Sequence, residues 1–305
     1  MTDPRSGQQL RIAAAGYQAD IASVGATLRT LTHEGRDLVI PFDADVVRPA
    51  YRGATLAPWP NRIVDGAYSF DGVAHQLALT EPDRGQALHG LVAWQNFAVQ
   101  DTAEDRVLLA AVIEPQTGYP FRVEVEVEYR VDADGLHQRV TGRNLGADAA
   151  PWGTGPHPYL TAGDDRIDTS ELLLPASAVL TVTDERLSPV AVEPIDAHPG
   201  WDFRTSRQIG DTFIDHAFTD LTRAADGSCA VVLRGASGAG VEMVWDARCP
   251  WVQVHTADLP DQRLSRRGLA VEPMTCPPDA FNSGTDLVVI EAGAEHSAGW
   301  RIAAL

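Results

Sequence analysis

The stretch FRVEVEVEYRVDADGLHQRVTGRNL, residues 121–145, indicates the fold class of this chain. Between residues 121 and 131, apolar side chains alternate with charged ones, which is typical of a strand that has one buried and one solvated face. Asp134-Gly135 then supplies the positive-φ residues of a tight turn, and residues 136–145 form the expected returning strand. The stretch therefore predicts an antiparallel β-hairpin.

The same signals recur along the chain. Asp71-Gly72 and Asp226-Gly227 repeat the turn dipeptide beside short apolar runs. No segment has a helical apolar stripe over three turns. Short runs with frequent turn signals predict an all-β protein of antiparallel sheets, a sandwich or barrel with very little helix. Further β-like runs cover residues 107–113, 241–245, 251–255 and 287–290.

Composition and charge narrow the possible partners. The chain has 305 residues, 44% of them hydrophobic, and no repeat or low-complexity linker, so we expect one domain over residues 1–305. Acidic residues outnumber basic ones by 42 to 24, and every basic residue is Arg. A net charge of −18 repels phosphate backbones and anionic lipids, so we expect neither a nucleic-acid nor a membrane partner.

Motif searches argue against cofactor chemistry and secretion. Cys229, Cys249 and Cys276 are odd in number and lack metal-ligand spacing, which is typical of reduced thiols in a cytoplasmic protein. The histidines form no HxH or HxxxH pair, and neither GxGxxG, GxxxxGK[ST] nor GxSxG occurs. The N-terminus has no secretory apolar segment. We expect a cytoplasmic protein without a metal site or a phosphate-cradling loop.

Two segments contain candidate binding groups. In Ala57–Ile63, Arg62 follows two prolines and an aromatic residue, and its planar guanidinium can donate to hydroxyls or to a carboxylate. A surface ion pair is the alternative role, and the segment alone favours it. Asp215 lies in the apolar run of residues 214–218, where it can accept from hydroxyls or orient a turn. His89, between Leu88 and Gly90, has no signal of its own.

Two other segments contain candidate acid–base groups. His157 lies between Pro156 and Pro158, whose rigid backbone lowers the entropy cost of fixing an imidazole for proton transfer. The alternative is a histidine that caps a turn. Glu272 follows the apolar run 268–271, and a carboxylate held in apolar surroundings becomes a better base. Its alternative is a strand-end Glu that points outwards.

Taken in order, these segments resemble the aldose 1-epimerase (galactose mutarotase) family, from about Gly25 to the C-terminus. Asn61-Arg62-Ile63 and the hairpin at 70–72 resemble the NRI segment, and Leu88-His89-Gly90 resembles the first histidine motif. The remaining matches are His157-Pro158-Tyr159-Leu160 to HPYF, Trp201-Asp202-Phe203 to the DF element, residues 214–218 to D-H-x-F, and residues 271–273 with 278–282 to the carboxylate motif.

The resemblance implies a β-supersandwich, no cofactor, and exchange of the α and β anomers of a free aldose. Three residues are then catalytic: Glu272 as the carboxylate base, His157 as the imidazolium acid, and His89 assisting at the ring oxygen or C1 hydroxyl. The substrate-binding residues are Arg62, Asp215, Asn61 and Trp152. Trp152 can stack on the sugar's apolar face, and burial in the core is its alternative.

Because the sequence departs from the family pattern at several positions, the resemblance does not identify the sugar substrate. The departures are Leu91 in place of a second Gly, Gly155 in place of Asn, and Leu160-Thr161 in place of Phe-Asn. One alternative is a hexose-6-phosphate mutarotase, which requires Arg263, Arg266 and Arg267 to line the pocket. The other is a sugar-binding protein without catalysis, although such a protein needs no acid–base pair. The expected partner is a small-molecule sugar, and the expected oligomeric state is a monomer or homodimer.

Overall fold

The computed structural model describes residues 4–163 and 165–305. Its strands, in chain order, are β1 (Gln9–Ala14), β2 (Tyr17–Ala22), β3 (Thr27–His33), β4 (Arg36–Asp37), β5 (Thr55–Leu56), β6 (Arg62–Val64), β7 (Ala67–Phe70), β8 (Val73–Gln76), β9 (Gln86–Leu88), β10 (Ala98–Thr102), β11 (Arg106–Ile113), β12 (Val123–Asp132), β13 (Gly135–Asn144), β14 (Ala150–Trp152), β15 (Gly155–Pro156), β16 (Tyr159–Leu160), β17 (Glu171–Leu173), β18 (Ala176–Val182), β19 (Pro189–Pro194), β20 (Arg207–Gln208), β21 (Asp215–Leu221), β22 (Cys229–Arg234), β23 (Gly240–Trp245), β24 (Trp251–His255), β25 (Leu269–Met274), β26 (Val288–Ile290) and β27 (Glu295–Ala304).

Helix is scarce, as expected. The described residues form one short α-helix, α1 (Ala280–Ser283), and 3-10 turns at Pro49–Tyr51, Pro82–Arg84, Ile167–Thr169, Ile195–Ala197 and Pro199–Trp201. No helix in this part of the chain has the length and hydrophobicity needed to cross a bilayer.

Two large antiparallel sheets dominate the structure. The nine-stranded sheet has the order β10-β11-β12-β13-β27-β23-β22-β17-β20, and the six-stranded sheet has the order β16-β25-β24-β21-β18-β19. Strands β1–β4 form a third sheet, and the remaining strands pair in twos: β14-β26, β15-β5, β6-β9 and β7-β8. The prediction of an antiparallel all-β fold is confirmed.

The hairpin predicted from residues 121–145 lies in the nine-stranded sheet. Strands β12 and β13 pair from Val123↔Asn144 to Asp132↔Gly135, and the valines of β12 are fully buried. Asp71-Gly72 likewise turns between β7 and β8. Asp226-Gly227 does form a turn, but it joins β21 of the six-stranded sheet to β22 of the nine-stranded one. A turn dipeptide fixes the local bend, whereas the choice of sheet depends on distant pairing.

One hydrophobic cluster runs from Ile12 to Ile302 and draws on both large sheets. Its buried phenols are satisfied, because the hydroxyl of Tyr119 donates to the carbonyl of Pro151 at 2.9 Å and that of Tyr129 to Ala26 at 2.8 Å. The three cysteines are buried free thiols, and burial raises the pKa of Cys229 to about 11. Such thiols are unreactive at neutral pH.

Candidate functional site

One face of the six-stranded sheet forms the floor of a cavity of about 500 Å³. Glu272 of β25 lies opposite Gln253 of β24, and His255 of β24 lies opposite Asp215 of β21. Residues opposite each other or two apart along a strand share a face, so these four side chains point to the same side. The sheet register therefore assembles the floor.

Loops and short strands form the walls of this cavity. Four of the wall residues, Ala50, Tyr51, Asn61 and His89, have positive φ angles of 46–61° without being glycine. Such backbone is uncommon and occurs preferentially at functional sites. The complete wall consists of Ala50, Tyr51, Asn61, Arg62, Glu81, Arg84, Leu88, His89, His157, Tyr159, Asp258, Leu259 and Pro260.

His157 and Glu272 meet at the bottom of the cavity. Nε2 of His157 lies 3.4 Å from Oε1 of Glu272, and both side chains are almost completely buried. The backbone of His157 is fixed on both sides, because its N–H donates to Ala54 and its carbonyl accepts from Gly53. The other polar atoms of the pair, Nδ1 and Oε2, have no hydrogen-bond partner in the described residues. Unpaired buried polar atoms are costly, by about 1–3 kcal/mol each, so they mark a place where a ligand can bind.

Burial favours the neutral form of both groups. It lowers the pKa of His157 to about 3, with the charge of His255 adding to the effect. It raises the pKa of Glu272 well above its usual value, reinforced by Asp215 and opposed by Arg62. Burial therefore favours a neutral pair, with a protonated Glu272 beside an imidazole that can accept a proton. The carboxylate and imidazolium expected from the sequence arise when that proton moves to His157.

His89 presents a neutral ring to the pair. Its Nδ1 accepts a hydrogen bond from the backbone N–H of Asn61 at 3.2 Å, which assigns the ring proton to Nε2. Burial lowers the pKa of His89 well below 6.5, and its ring lies 5.0 Å from that of His157. His89 can therefore donate a hydrogen bond beside His157.

Arg62 is held by a carboxylate that the sequence did not single out. Its Nε and Nη2 donate to the two oxygens of Glu81 at 2.7 and 3.1 Å, and Glu81 also accepts from Arg84. Nη1 of Arg62 lies 3.4 Å from Oδ1 of Asn61 and has capacity for a further acceptor. The ion pair named as the alternative role of Arg62 is present, and it orients the guanidinium inside the cavity.

Asp215 belongs to a polar group on the sheet floor. Its Oδ1 accepts from Nε2 of Gln253 at 2.7 Å and faces Nδ1 of His255 at 3.7 Å. Oε1 of Gln253 is buried without a partner in the described residues. Gln253 and His255 escaped the sequence reasoning because only their pairing with β25 and β21 places them beside Glu272 and Asp215.

Trp152 does not belong to the site, and its predicted role as a sugar contact is corrected. Its side chain is fully buried in the main core and is absent from the cavity lining. The ring packs so closely on Gly142 that a Cβ there would lie 2.6 Å from it. Strand β14 carries Trp152 into the core, which was the alternative role.

The three arginines before the carboxylate motif lie outside this cavity. The side chain of Arg266 is buried and bound to Asp168 and Asp258. Arg263 and Arg267 line a different cavity. The condition set for a hexose-6-phosphate enzyme, that all three line the pocket, is not met.

Comparisons with known proteins agree with this fold. The family model for aldose 1-epimerase matches residues 8–303, so the match begins before Gly25. The uncharacterized protein YihR of Escherichia coli K12 is 38% identical over 292 residues, covering 95% of this chain and 91% of that protein.

Solved structures share the fold. A GalM/aldose epimerase homologue from C. elegans superposes with a TM-score of 0.85 at 20% identity, over 97% of this chain and 98% of that one. Galactose 1-epimerase from Lactobacillus acidophilus gives 0.79 at 17% identity, over 95% and 92%. These likenesses show a galactose mutarotase-like fold, and with the family match they show that the chain belongs to the aldose 1-epimerase family.

Proposed function

We propose that the protein is a cofactor-independent aldose 1-epimerase, a mutarotase that interconverts the α and β anomers of a free aldose. The observation that carries the proposal is the 3.4 Å contact between His157 and Glu272 at the bottom of the cavity, with one unpartnered polar atom on each side chain. A cavity of about 500 Å³ is within the usual range for small-molecule sites.

The reaction needs two proton transfers at one carbon. The anomeric carbon bears a hydroxyl and the ring oxygen. Opening the ring removes the hydroxyl proton and protonates the ring oxygen, which leaves an aldehyde. Rotation about the C1–C2 bond and closure then produce the other anomer. Because both oxygens are bonded to one carbon, the acid and the base must be neighbours, as His157 and Glu272 are.

The pair can supply both transfers without consuming a proton. When its single proton lies on His157, Glu272 is the base for the C1 hydroxyl and His157 is the acid for the ring oxygen. The charge of Arg62 favours the ionised form of Glu272 and so stabilises this arrangement. Each transfer by a positioned group is typically worth about 10²–10⁴-fold in rate.

The other wall and floor residues would hold the sugar. His89 can donate from Nε2 to the ring oxygen or the C1 hydroxyl. Nη1 of Arg62 and the second carboxylate oxygen of Asp215 provide a donor and an acceptor for other hydroxyls, and the side chain of Asn61 borders Arg62. A neutral polyhydroxylated ligand matches such a mixture of donors and acceptors.

Polarimetry tests the proposal. Freshly dissolved α-D-glucose or α-D-galactose should equilibrate faster with the protein than in buffer. E272Q should lose at least about 10²-fold of that acceleration, whereas E291Q, which changes an exposed carboxylate, should keep it. An unchanged rate in E272Q would reject the assigned base. Binding without acceleration across a panel of free aldoses would indicate a non-catalytic sugar-binding protein instead.

A further inference from the structure

A second cavity, of about 640 Å³, contains two of the three arginines that the sequence singled out. Arg263 and Arg267 line it, and so does Arg52, which follows the 3-10 turn Pro49–Tyr51. We call it the arginine cavity. Asp37 and Asp165 also border it.

Arg52 is a buried cation with few partners. Only 8% of the residue is exposed, and Nη1 reaches the carbonyl of Pro41 at a long 3.4 Å. Its buried Nε has no hydrogen-bond partner, and no carboxylate within residues 4–163 and 165–305 forms an ion pair with it. A guanidinium normally uses several of its five donors when buried, so Arg52 has unused capacity for an acceptor.

Arg267 adds a second positive charge close to Arg52. Burial lowers the pKa of Arg52, and the charge of Arg267 lowers it further. The ionic contact of Arg267 is a 3.6 Å approach to Asp165, whose side chain is 96% exposed. By contrast, Arg263 makes a close ion pair with Asp261. The least compensated charge in the arginine cavity therefore lies between Arg52 and Arg267.

We propose that the arginine cavity binds an oxyanion of the phosphate class between Arg52 and Arg267. A tetrahedral oxyanion accepts from Nε and Nη of both guanidinium groups and removes the repulsion between them. The net charge of the chain is −18, so two neighbouring arginines whose single ionic contact in the described residues is the 3.6 Å approach to Asp165 are a local exception to its charge.

Tyr159 connects this cavity with the candidate active site. The guanidinium of Arg52 lies 5.7 Å from the centre of the Tyr159 ring, and His157 stacks on that ring at 5.2 Å. The bound oxyanion can be free phosphate or the phosphate group of a sugar phosphate. The chemistry that recognises it is the same in both cases.

Calorimetric titration with inorganic phosphate at low ionic strength tests the site without using turnover. The wild-type protein should bind phosphate saturably at one site. R267A, which changes a partly exposed side chain, should weaken binding at least tenfold, and R52M should do the same. R248A removes an exposed arginine paired with Asp246 elsewhere on the surface, and it should keep the wild-type affinity within twofold.

Thermal melting shows whether R52M folds. If R52M does not fold, the comparison of R267A with the wild-type protein tests the site. Lack of saturable binding to the wild-type protein, or equal affinity in wild type and R267A, would overturn the proposal. Displacement of phosphate by glucose 6-phosphate at least tenfold more effectively than by methyl phosphate would identify a sugar-borne anion as the ligand. Equal displacement by these two phosphomonoesters would identify a free oxyanion.

Discussion

His157 lies directly opposite Glu272 in an extension of the register between β16 and β25. The two strands pair Tyr159 with Ala270, and continuing that antiparallel register by two residues brings His157 to Glu272. Their side chains meet at 3.4 Å as cross-strand neighbours. The contact between these two side chains is thus a product of strand pairing.

The pH profile of turnover should reflect the burial of this pair. Below the pKa of His157, which burial lowers to about 3, the pair takes up a second proton and loses its acceptor. Above the raised pKa of Glu272, it loses its last proton and its donor. We expect kcat/KM from polarimetry to stay flat between about pH 5 and the limb set by Glu272. An acidic limb near the ordinary histidine pKa would contradict this.

The stability of two variants should depend on pH with opposite signs. Burial favours the proton on Glu272 in the folded wild type. In the unfolded chain between about pH 4.5 and 6.5 it is on His157, so the pair adds almost no pH dependence there.

In E272Q, the lowered pKa of His157 is no longer balanced by the raised pKa of Glu272. The unfolded chain then binds a proton that the folded chain does not, and the stability of E272Q should fall by about 2 kcal/mol from pH 7 to pH 5. In H157N, the raised pKa of Glu272 is no longer balanced by the lowered pKa of His157. The folded chain then binds a proton that the unfolded chain does not, so stability should rise relative to wild type as the pH falls. Urea unfolding at both pH values measures this, and equal slopes in the two variants would refute it.

Glu81 should act as a positioning residue for Arg62. E81Q removes the charge that holds the guanidinium through two hydrogen bonds, so we expect KM for the sugar to rise about tenfold, which is about 1.4 kcal/mol, with a smaller change in kcat. E104Q changes an exposed carboxylate far from the cavity lining and should leave KM unchanged. An unaltered KM in E81Q would show that Arg62 needs no such support.

The contact between Gly142 and Trp152 should matter for stability only. G142A places a Cβ 2.6 Å from the buried indole ring, so we expect a loss of about 1–3 kcal/mol in the free energy of unfolding, with kcat retained by the folded protein. Nothing lies within 4 Å of a Cβ at Gly200, and G200A should be nearly neutral. An unchanged unfolding free energy in G142A would mean that the indole can shift freely.

Local patterns predicted the strands well and the site in part. The alternation in residues 123–132 places the valines of β12 in the core, because a period of two is a property of any extended chain. The family motifs, taken in their order along the chain, identified five residues that all border one cavity: Arg62, His89, His157, Asp215 and Glu272. Trp152 was assigned wrongly as a sugar contact, since an indole suits a core and a sugar face equally well.

The amino-acid sequence by itself determined which segments are extended, where tight turns fall, and which residue types are available for proton transfer, because these depend on neighbours along the chain. Only the tertiary structure decided that β24 lies between β21 and β25, which brings Gln253 and His255 to the floor, and that Glu81 holds Arg62. Burial of His157 and Glu272, and hence their pKa shifts, also depends on how the sheets pack. Strand register and desolvation arise from contacts between distant segments, and no local pattern encodes them.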